Sequence, residues 1–482
     1  MDSVGKKALK AGTWYTICTF ILKGLTFITM PIFNRVMSEG DIGNYSNFSS
    51  WVVILTSVFT LDLFNTINLA HYEYKDKIYE YMSSITLAGS LVTAGFYGIA
   101  CIFHKQVTDW LGISDFMLHV MFIYLIITPS ISTLQAKFRI HMQYKYTILT
   151  SLLPSMGAVL TALLLVGISK PEDKLNGRIT GYYGVWIAAS LAVYIFILAK
   201  GRTFKKEYIR FALPIAIPLV IHTLANVVLS ACDRVMIKRI CGEVDTAYYS
   251  VAYSCSMVVA ILWQAVNQAW SPWCFEKMHN EKEGDILRVA KPIMLLFTGL
   301  VFIVILLGPE LLYLMGGEKY AEAQYVLPPV MLGYVAQMMY TLYVNIEYFM
   351  KKQKQIMIGT LIAAVINVML NLIFIPIFGY IAAAYTTLVG YVCMLFIHYY
   401  FVRRMNMHKI YDMKFNILIL TGTILFGTAI SLLYPYDYVR WAIGGAAVLY
   451  FLQLIVRKRK ELIRSLKKKD VEGLLRVFHL MK

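Results

Sequence analysis

Residues 11–34 read AGTWYTICTFILKGLTFITMPIFN, an apolar run with a single charge, Lys23. At about 1.5 Å of rise per residue, a helix of this length crosses a hydrocarbon core roughly 30 Å thick. Lys6, Lys7 and Lys10 precede the run. It is too long for the apolar segment of a secretion signal, and no small-residue cleavage site follows it. It is therefore expected to be a first membrane helix that the mature chain keeps.

The same pattern recurs to the far end of the chain. Apolar stretches follow at 43–70, 82–104, 113–135, 147–169, 180–199, 211–232, 247–270, 287–308, 324–349, 356–376, 380–402, 415–434 and 440–456. The eleventh and twelfth are separated only by Pro376-Ile377-Phe378-Gly379, which reads as a turn. Of the 482 residues, 59% are hydrophobic and 15% charged, against about 25% charged in a typical soluble domain. The expected fold is an all-α integral membrane protein with about fourteen transmembrane helices. No connection is long enough to fold alone; the longest lies near 309–323.

A net charge of +17 on a soluble chain would point to nucleic acid. Here roughly three quarters of the Lys and Arg fall on one side of the helices, in alternate short connections, and this bias orients the chain instead. That side holds the N-terminus, the connections around Lys75, Lys137, Lys205, Lys282, Lys352 and Arg403, and a basic tail over 457–482. Both termini are thereby expected in the cytoplasm, with the chain multi-pass in the membrane and no nucleic-acid partner. The tail reads either as lying on the anionic inner leaflet or as solvated. The seven cysteines show no CxxC pair or metal-ligand spacing, and Cys18, Cys101, Cys232, Cys255 and Cys393, in or beside apolar stretches, read as small apolar residues.

An internal repeat is visible. Asn34-Arg35-Val36-Met37 after the first stretch returns as Asp233-Arg234-Val235-Met236 after the seventh. Asp41-x-x-x-Tyr45-Ser46 returns as Asp245-x-x-x-Tyr249-Ser250. Two parallel six-helix lobes are expected, the first over 1–205 and the second over 206–405. Two extra helices over 406–456 and the tail then follow.

Nucleotide-binding and hydrolase signatures are missing: GxxxxGK[ST], GxGxxG, HExxH and GxSxG do not occur. An enzyme is not expected. Lys23 is the most informative residue, because a Lys at mid-membrane costs about 2.5–3.5 kcal/mol on insertion scales. It should face a water-filled cavity or a partner such as Asp62. Superposing the repeats sets Lys23 against His222. Asp62 is positioned either to bind a coupling proton or cation or to neutralise Lys23, with Asn65 and Asn68 following on one helix face. Gln264, Asn267 and Gln268, then Gln337, then Asn367 and Asn371, are polar positions for lining a cavity or bonding one helix to another. Glu347 has Lys351 four residues on, which reads as a local ion pair. Pro214 and Pro218 lie in the first turns of the seventh stretch, where they would bend it.

With these residues in place, the chain resembles bacterial polysaccharide transporters. These are the flippases of lipid-linked O-antigen and capsule oligosaccharides, within the multidrug/oligosaccharidyl-lipid/polysaccharide exporter superfamily. Trp14, Pro31, Arg35, Ser38-Glu39 and Gly43-x-Tyr45-Ser46 carry the resemblance at the N-terminus. Further on it rests on Asp233-Arg234, Gly308-Pro309-Glu310, Gly317-Glu318-Lys319-Tyr320 and Ile375-Pro376-x-Phe378-Gly379-x-Ile381-Ala382-Ala383-Ala384. It implies two six-helix lobes around a cationic central cavity, with two further helices. It also implies alternating access that moves an undecaprenyl-diphosphate-linked glycan between leaflets, with polymerase and export proteins of the same pathway as partners. No cofactor is implied; a proton, sodium or the membrane potential would drive the cycle. The alternatives left open are a cation-coupled multidrug exporter, a flippase for the peptidoglycan precursor, and a membrane-bound polysaccharide polymerase or ligase. The absence of an acid from the first stretch weighs against the multidrug exporter.

Overall fold

A computed structural model of the chain describes residues 3–457, with a few side chains, mainly in 3–13 and 447–457, outside that description. The basic tail beyond it lies outside the described residues. All regular structure among the described residues is helical, as the apolar stretches require.

The chain forms two compact units, Met1–Ala247 and Tyr248–Lys482. The first contains α1 (Ser3–Val36), α2 (Glu39–Phe59), α3 (Ile67–Glu73), α4 (Ile78–Ile102), α5 (His104–Leu111), α6 (Asp115–Ile127), α7 (Pro129–Ile140), α8 (Tyr144–Ile168), α9 (Lys174–Gly201) and α10 (Lys206–Ile240). Helix α11 (Glu243–His279) leads into the second. There follow α12 (Glu283–Leu306), α13 (Gly308–Gly316), α14 (Leu327–Phe349), α15 (Gln353–Phe378), α16 (Ile381–Arg404), α17 (Met413–Ser431) and α18 (Asp437–Arg457). The expected first lobe ended at 205, whereas the first compact unit keeps α10, which packs along α2.

Eleven helices are long and apolar enough to cross a membrane, or twelve if the bent pair Glu39–Phe59 and Leu63–Glu73 is one span. The remaining two expected stretches are α14 and α18. Helix α14 is buried along nearly its whole length, against α12, α16 and α17. A helix surrounded by protein has no lipid to satisfy and can carry Gln337, Asn345 and Glu347. The outward faces are the reverse. On α8, Leu149, Leu153, Leu160, Leu164 and Ile168 are all more than half exposed, an apolar surface on the scale only a membrane covers.

Local chemistry sets the ends of the helices. Ser38 caps α2, accepting from the Asp41 N–H at 3.1 Å, with Glu39 and Asp41 in the first turn. The turn read at Pro376–Gly379 is present: Gly379 takes φ +69° and its N–H donates to the Ile375 carbonyl at 2.9 Å, so α15 and α16 are separate. Small residues allow close helix contact. A β-carbon on Gly181 of α9 would lie 2.5 Å from the Ala162 Cα of α8.

Three expectations are corrected. The stretch 43–70 is not one helix; it breaks at Thr60–Asp62 with a 49° bend. The segment 309–323 is not a loop; it forms α13 and a 3-10 turn. Glu310 of α13 pairs with Arg440 of α18, which is 1% exposed and also bonds Asp437. Pro214 and Pro218 are interior to α10, because that helix starts earlier, at Lys206.

Candidate functional site

The break in α2 is where the first unit departs from regular structure. Leu61 and Asp62 both take left-handed backbone, at φ +51° and +42°, with neither a glycine. Each such residue stores about 1–3 kcal/mol. Helix α4 makes the break tenable. Thr93 donates to the Phe59 carbonyl at 3.3 Å, one of those freed at the end of α2. Gly89 lies beside it: a β-carbon there would sit 3.7 Å from the Thr60 carbonyl oxygen. The chain restarts through Asn65 N–H to Asp62 C=O at 3.0 Å, and Thr66 locks the new turn by a 2.6 Å bond to the Tyr81 hydroxyl.

Asp62 thus sits at a helix break and is 4% exposed. Thr223 of α10 lies within hydrogen-bonding reach of its carboxylate. Its second oxygen, Oδ2, has no hydrogen-bond partner among the described residues. Irregular backbone at membrane depth occurs where it is buried in protein or lines an aqueous path, and a buried carboxylate with an open oxygen is equipped to take a proton or a cation. Asn65 is half-buried and Asn68 exposed. Because the helix is broken, the shared face expected for Asp62, Asn65 and Asn68 rests on a helical register that does not exist across the break. Lys23 is half-exposed on α1, within the span Ile17–Val36. His222 belongs to α10, next to Thr223 in the chain, but its side chain lies outside the described residues.

In the second unit the expected polar positions fall into two networks and an outward face. Asn345 of α14 donates to the Asn267 side chain of α11 at 2.9 Å, and Ser271 donates to Asn345 at 3.2 Å. Asn367 and Asn371 of α15 are fully buried. Asn371 donates to Asn367 at 3.3 Å, Thr386 of α16 donates to Asn371, and Asn367 donates to Thr387 at 3.5 Å. Both networks tie helices together. Gln264 and Gln268 are exposed on α11, and Gln337 is half-buried on α14.

Glu347 corrects its reading. It does not pair with Lys351, which lies beyond the end of α14 with φ +56°. Its Oε2 meets Nδ1 of His398 on α16 at 2.9 Å, both side chains fully enclosed. Glu347 Oε1 and His398 Nε2 have no partner among the described residues. Tyr340 stacks on the imidazole at 5.9 Å. Sequence reading missed His398, Thr93 and Thr223: a Thr or His in an apolar run carries no signal until its neighbour across the bundle is known.

The described residues form a helical membrane protein with many spans, and the comparisons with known proteins agree. The family model described as Polysaccharide biosynthesis protein matches residues 8–278, more than half of the chain, and the chain belongs to that family. A second model, MatE, matches residues 218–373. The chain is 20% identical, over 75% of its length and 90% of the relative's, to a protein named Lsg locus putative protein 1 from Haemophilus influenzae. Its fold is similar to the inward closed conformation of the lipid II flippase MurJ, with a TM-score of 0.64 at 17% identity, covering 92% of this chain and 98% of that one. It is also similar to an inward-facing multidrug resistance MATE family transporter of the MOP superfamily, with a TM-score of 0.57 at 12% identity over 83% and 98%.

Proposed function

We propose that this protein is a flippase that moves an undecaprenyl-diphosphate-linked oligosaccharide across the bacterial cytoplasmic membrane. The glycan then enters synthesis of an O-antigen, capsule or exopolysaccharide. The observation that carries the reading is the polysaccharide-biosynthesis family match over residues 8–278, in a chain whose described residues are almost entirely membrane-length helix. An exporter needs such spans and short connections; a polymerase or ligase usually carries a large outward catalytic loop.

The residues divide the work as follows. The lobes 1–205 and 206–405 alternate access, and the helices of 406–456 flank them. Lys23 offers a cation inside a membrane span, where it favours the diphosphate. Asp62, at a strained helix break with an open carboxylate oxygen, takes a proton or sodium whose binding biases the break, with the membrane potential as a further drive. No cofactor takes part. Polymerase and export proteins of the pathway receive the product.

The test is deletion of the gene and complementation, at matched protein levels, with wild type, Lys23→Ala, Lys23→Arg and Asp62→Asn. Surface glycan and lipid-linked intermediate are then measured. Internal accumulation of the intermediate, rescue by Lys23→Arg and failure of Lys23→Ala support the reading. The MatE match at 218–373 favours a second reading, a cation-coupled multidrug exporter. Unchanged surface glycan with altered drug sensitivity would select that one.

A further inference from the structure

A pocket of about 460 Å³ opens in the first unit where the C-terminal ends of α5 and α10 meet the middle of α2. Its size lies within the roughly 300–1,000 Å³ of ligand sites. Asn47 and Trp51 come from α2, Asp109 and Trp110 from α5, and Lys238 and Arg239 from α10. The charge bias of the sequence sets these helix ends on the outer side of the membrane.

We infer that this pocket binds sugar rings. Trp110 presents an open aromatic face: it is 58% exposed, against 8% for Trp51, whose ring supports it at 4.9 Å. The platform is held rigidly. Arg239 donates to the Trp110 carbonyl at 3.1 Å, Trp51 Nε1 donates to the Leu111 carbonyl at 3.0 Å, and Gly112 closes α5 at φ +62°. Asn47, 1% exposed, spends its Nδ2 on the carbonyls of Leu111 and Gly112 at 2.9 and 3.1 Å. Both contacts are acceptors, so the amide orientation is determined. Its Oδ1 is buried without a partner among the described residues, so the residue acts by fixing the end of α5 under the Trp110 platform. Asp109 is exposed and makes no ion pair among the described residues.

An aromatic face beside planar carboxylate and guanidinium groups is the chemistry that reads a polyhydroxylated ring: apolar C–H groups on one side, paired hydroxyls at the edge. The charges also decide against a bare phosphate. Lys238 is held by Glu243 at 2.7 Å, and Asp109 balances Arg239, so the pocket has no net positive field. An interfacial Trp anchor alone would need no open carboxylate beside it, as Asp109 provides here. That the sugars are those of the exported glycan rests on the proposed function; the sugar class rests on the pocket.

The test uses the full chain in nanodiscs and the free oligosaccharide released from the host's own surface polymer by mild acid. Binding is followed by saturation-transfer NMR and calorimetry. Saturable binding is expected, weakened about ten-fold or more by Trp110→Ala, as for loss of an aromatic anchor. Asp109→Asn should weaken it similarly, while Trp110→Phe keeps most of it. Inorganic diphosphate should not compete. No saturable binding, equal binding by Trp110→Ala and Asp109→Asn, or displacement by diphosphate would each overturn the assignment. If deletion of the gene blocks glycan export while the pocket variants bind and export normally, the pocket fails and the flippase stands. If deletion leaves surface glycan unchanged, the flippase fails independently.

Discussion

Replacing His398 by Phe keeps an aromatic ring against Tyr340 and removes only the nitrogens. Glu347 then loses its single contact, the 2.9 Å bond to Nδ1. Its other oxygen already has no partner, and the side chain has no route to water, since both groups are 0% exposed. Breaking a buried pair by removing one member is destabilising by about 3–5 kcal/mol, because the survivor stays buried and uncompensated. Glu347→Met should lose less, about 1–3 kcal/mol, since the imidazole it strands need not be charged. The double variant Glu347→Met/His398→Phe should recover most of the loss, because an apolar pair of similar volume is about neutral or stabilising in such a place. Unfolding of a chain this size is not two-state, so the measure is the ranking of thermal midpoints by fluorescence-detected size-exclusion in one detergent. Two near-neutral single variants, or a double variant that falls by the sum of the singles, would refute the reasoning: the first would mean the pair is hydrated, the second that the two residues do not couple.

Gly181→Ala should destabilise by about 1–3 kcal/mol, since the new β-carbon meets Ala162 backbone at 2.5 Å, whereas Gly95→Ala, with open space around it, should be neutral or slightly stabilising; thermal midpoints compare the two. Arg440→Met removes a buried guanidinium that bonds both Glu310 and Asp437 and should lower the thermal midpoint more than Asp437→Asn, which leaves the Glu310 pair in place and alters the more exposed partner. Asp412 lies just before α17, and the Lys291 ammonium at 2.8 Å, then the Phe415 N–H, hold its carboxyl below the usual 3.8. Its folded value is depressed, so the stability it adds is present above the ordinary value and lost as pH falls below it. Asp412→Asn should therefore flatten the loss of thermal stability at acid pH while lowering stability near neutrality, and an unchanged acid limb would contradict that origin.

How much could be read from residues alone depended on whether the physical rule involved was local. The α15–α16 turn was legible because Pro376 and Gly379 state their conformations wherever they stand. The break at Thr60–Asp62 was not: it contains neither Gly nor Pro, and only Thr93 and Gly89 of α4 make it tolerable. Glu347 was misread for the same reason. The rule pairing residues four apart assumed that α14 continued to Lys351, when the true partner lay on another helix.

By itself the sequence determined that this chain spans a membrane many times in helices, because a bilayer admits only lengths and compositions that any window of residues reveals. It also determined the charge asymmetry and the family resemblance, which are written residue by residue. Only the tertiary structure decided which polar groups are satisfied. Asp62 was set at a helix break, Glu347 on His398, Asn371 on Thr386, and Trp110 on Trp51. Those outcomes depend on which helix faces which, and in an apolar chain many pairings bury similar surface, so only the folded packing selects among them.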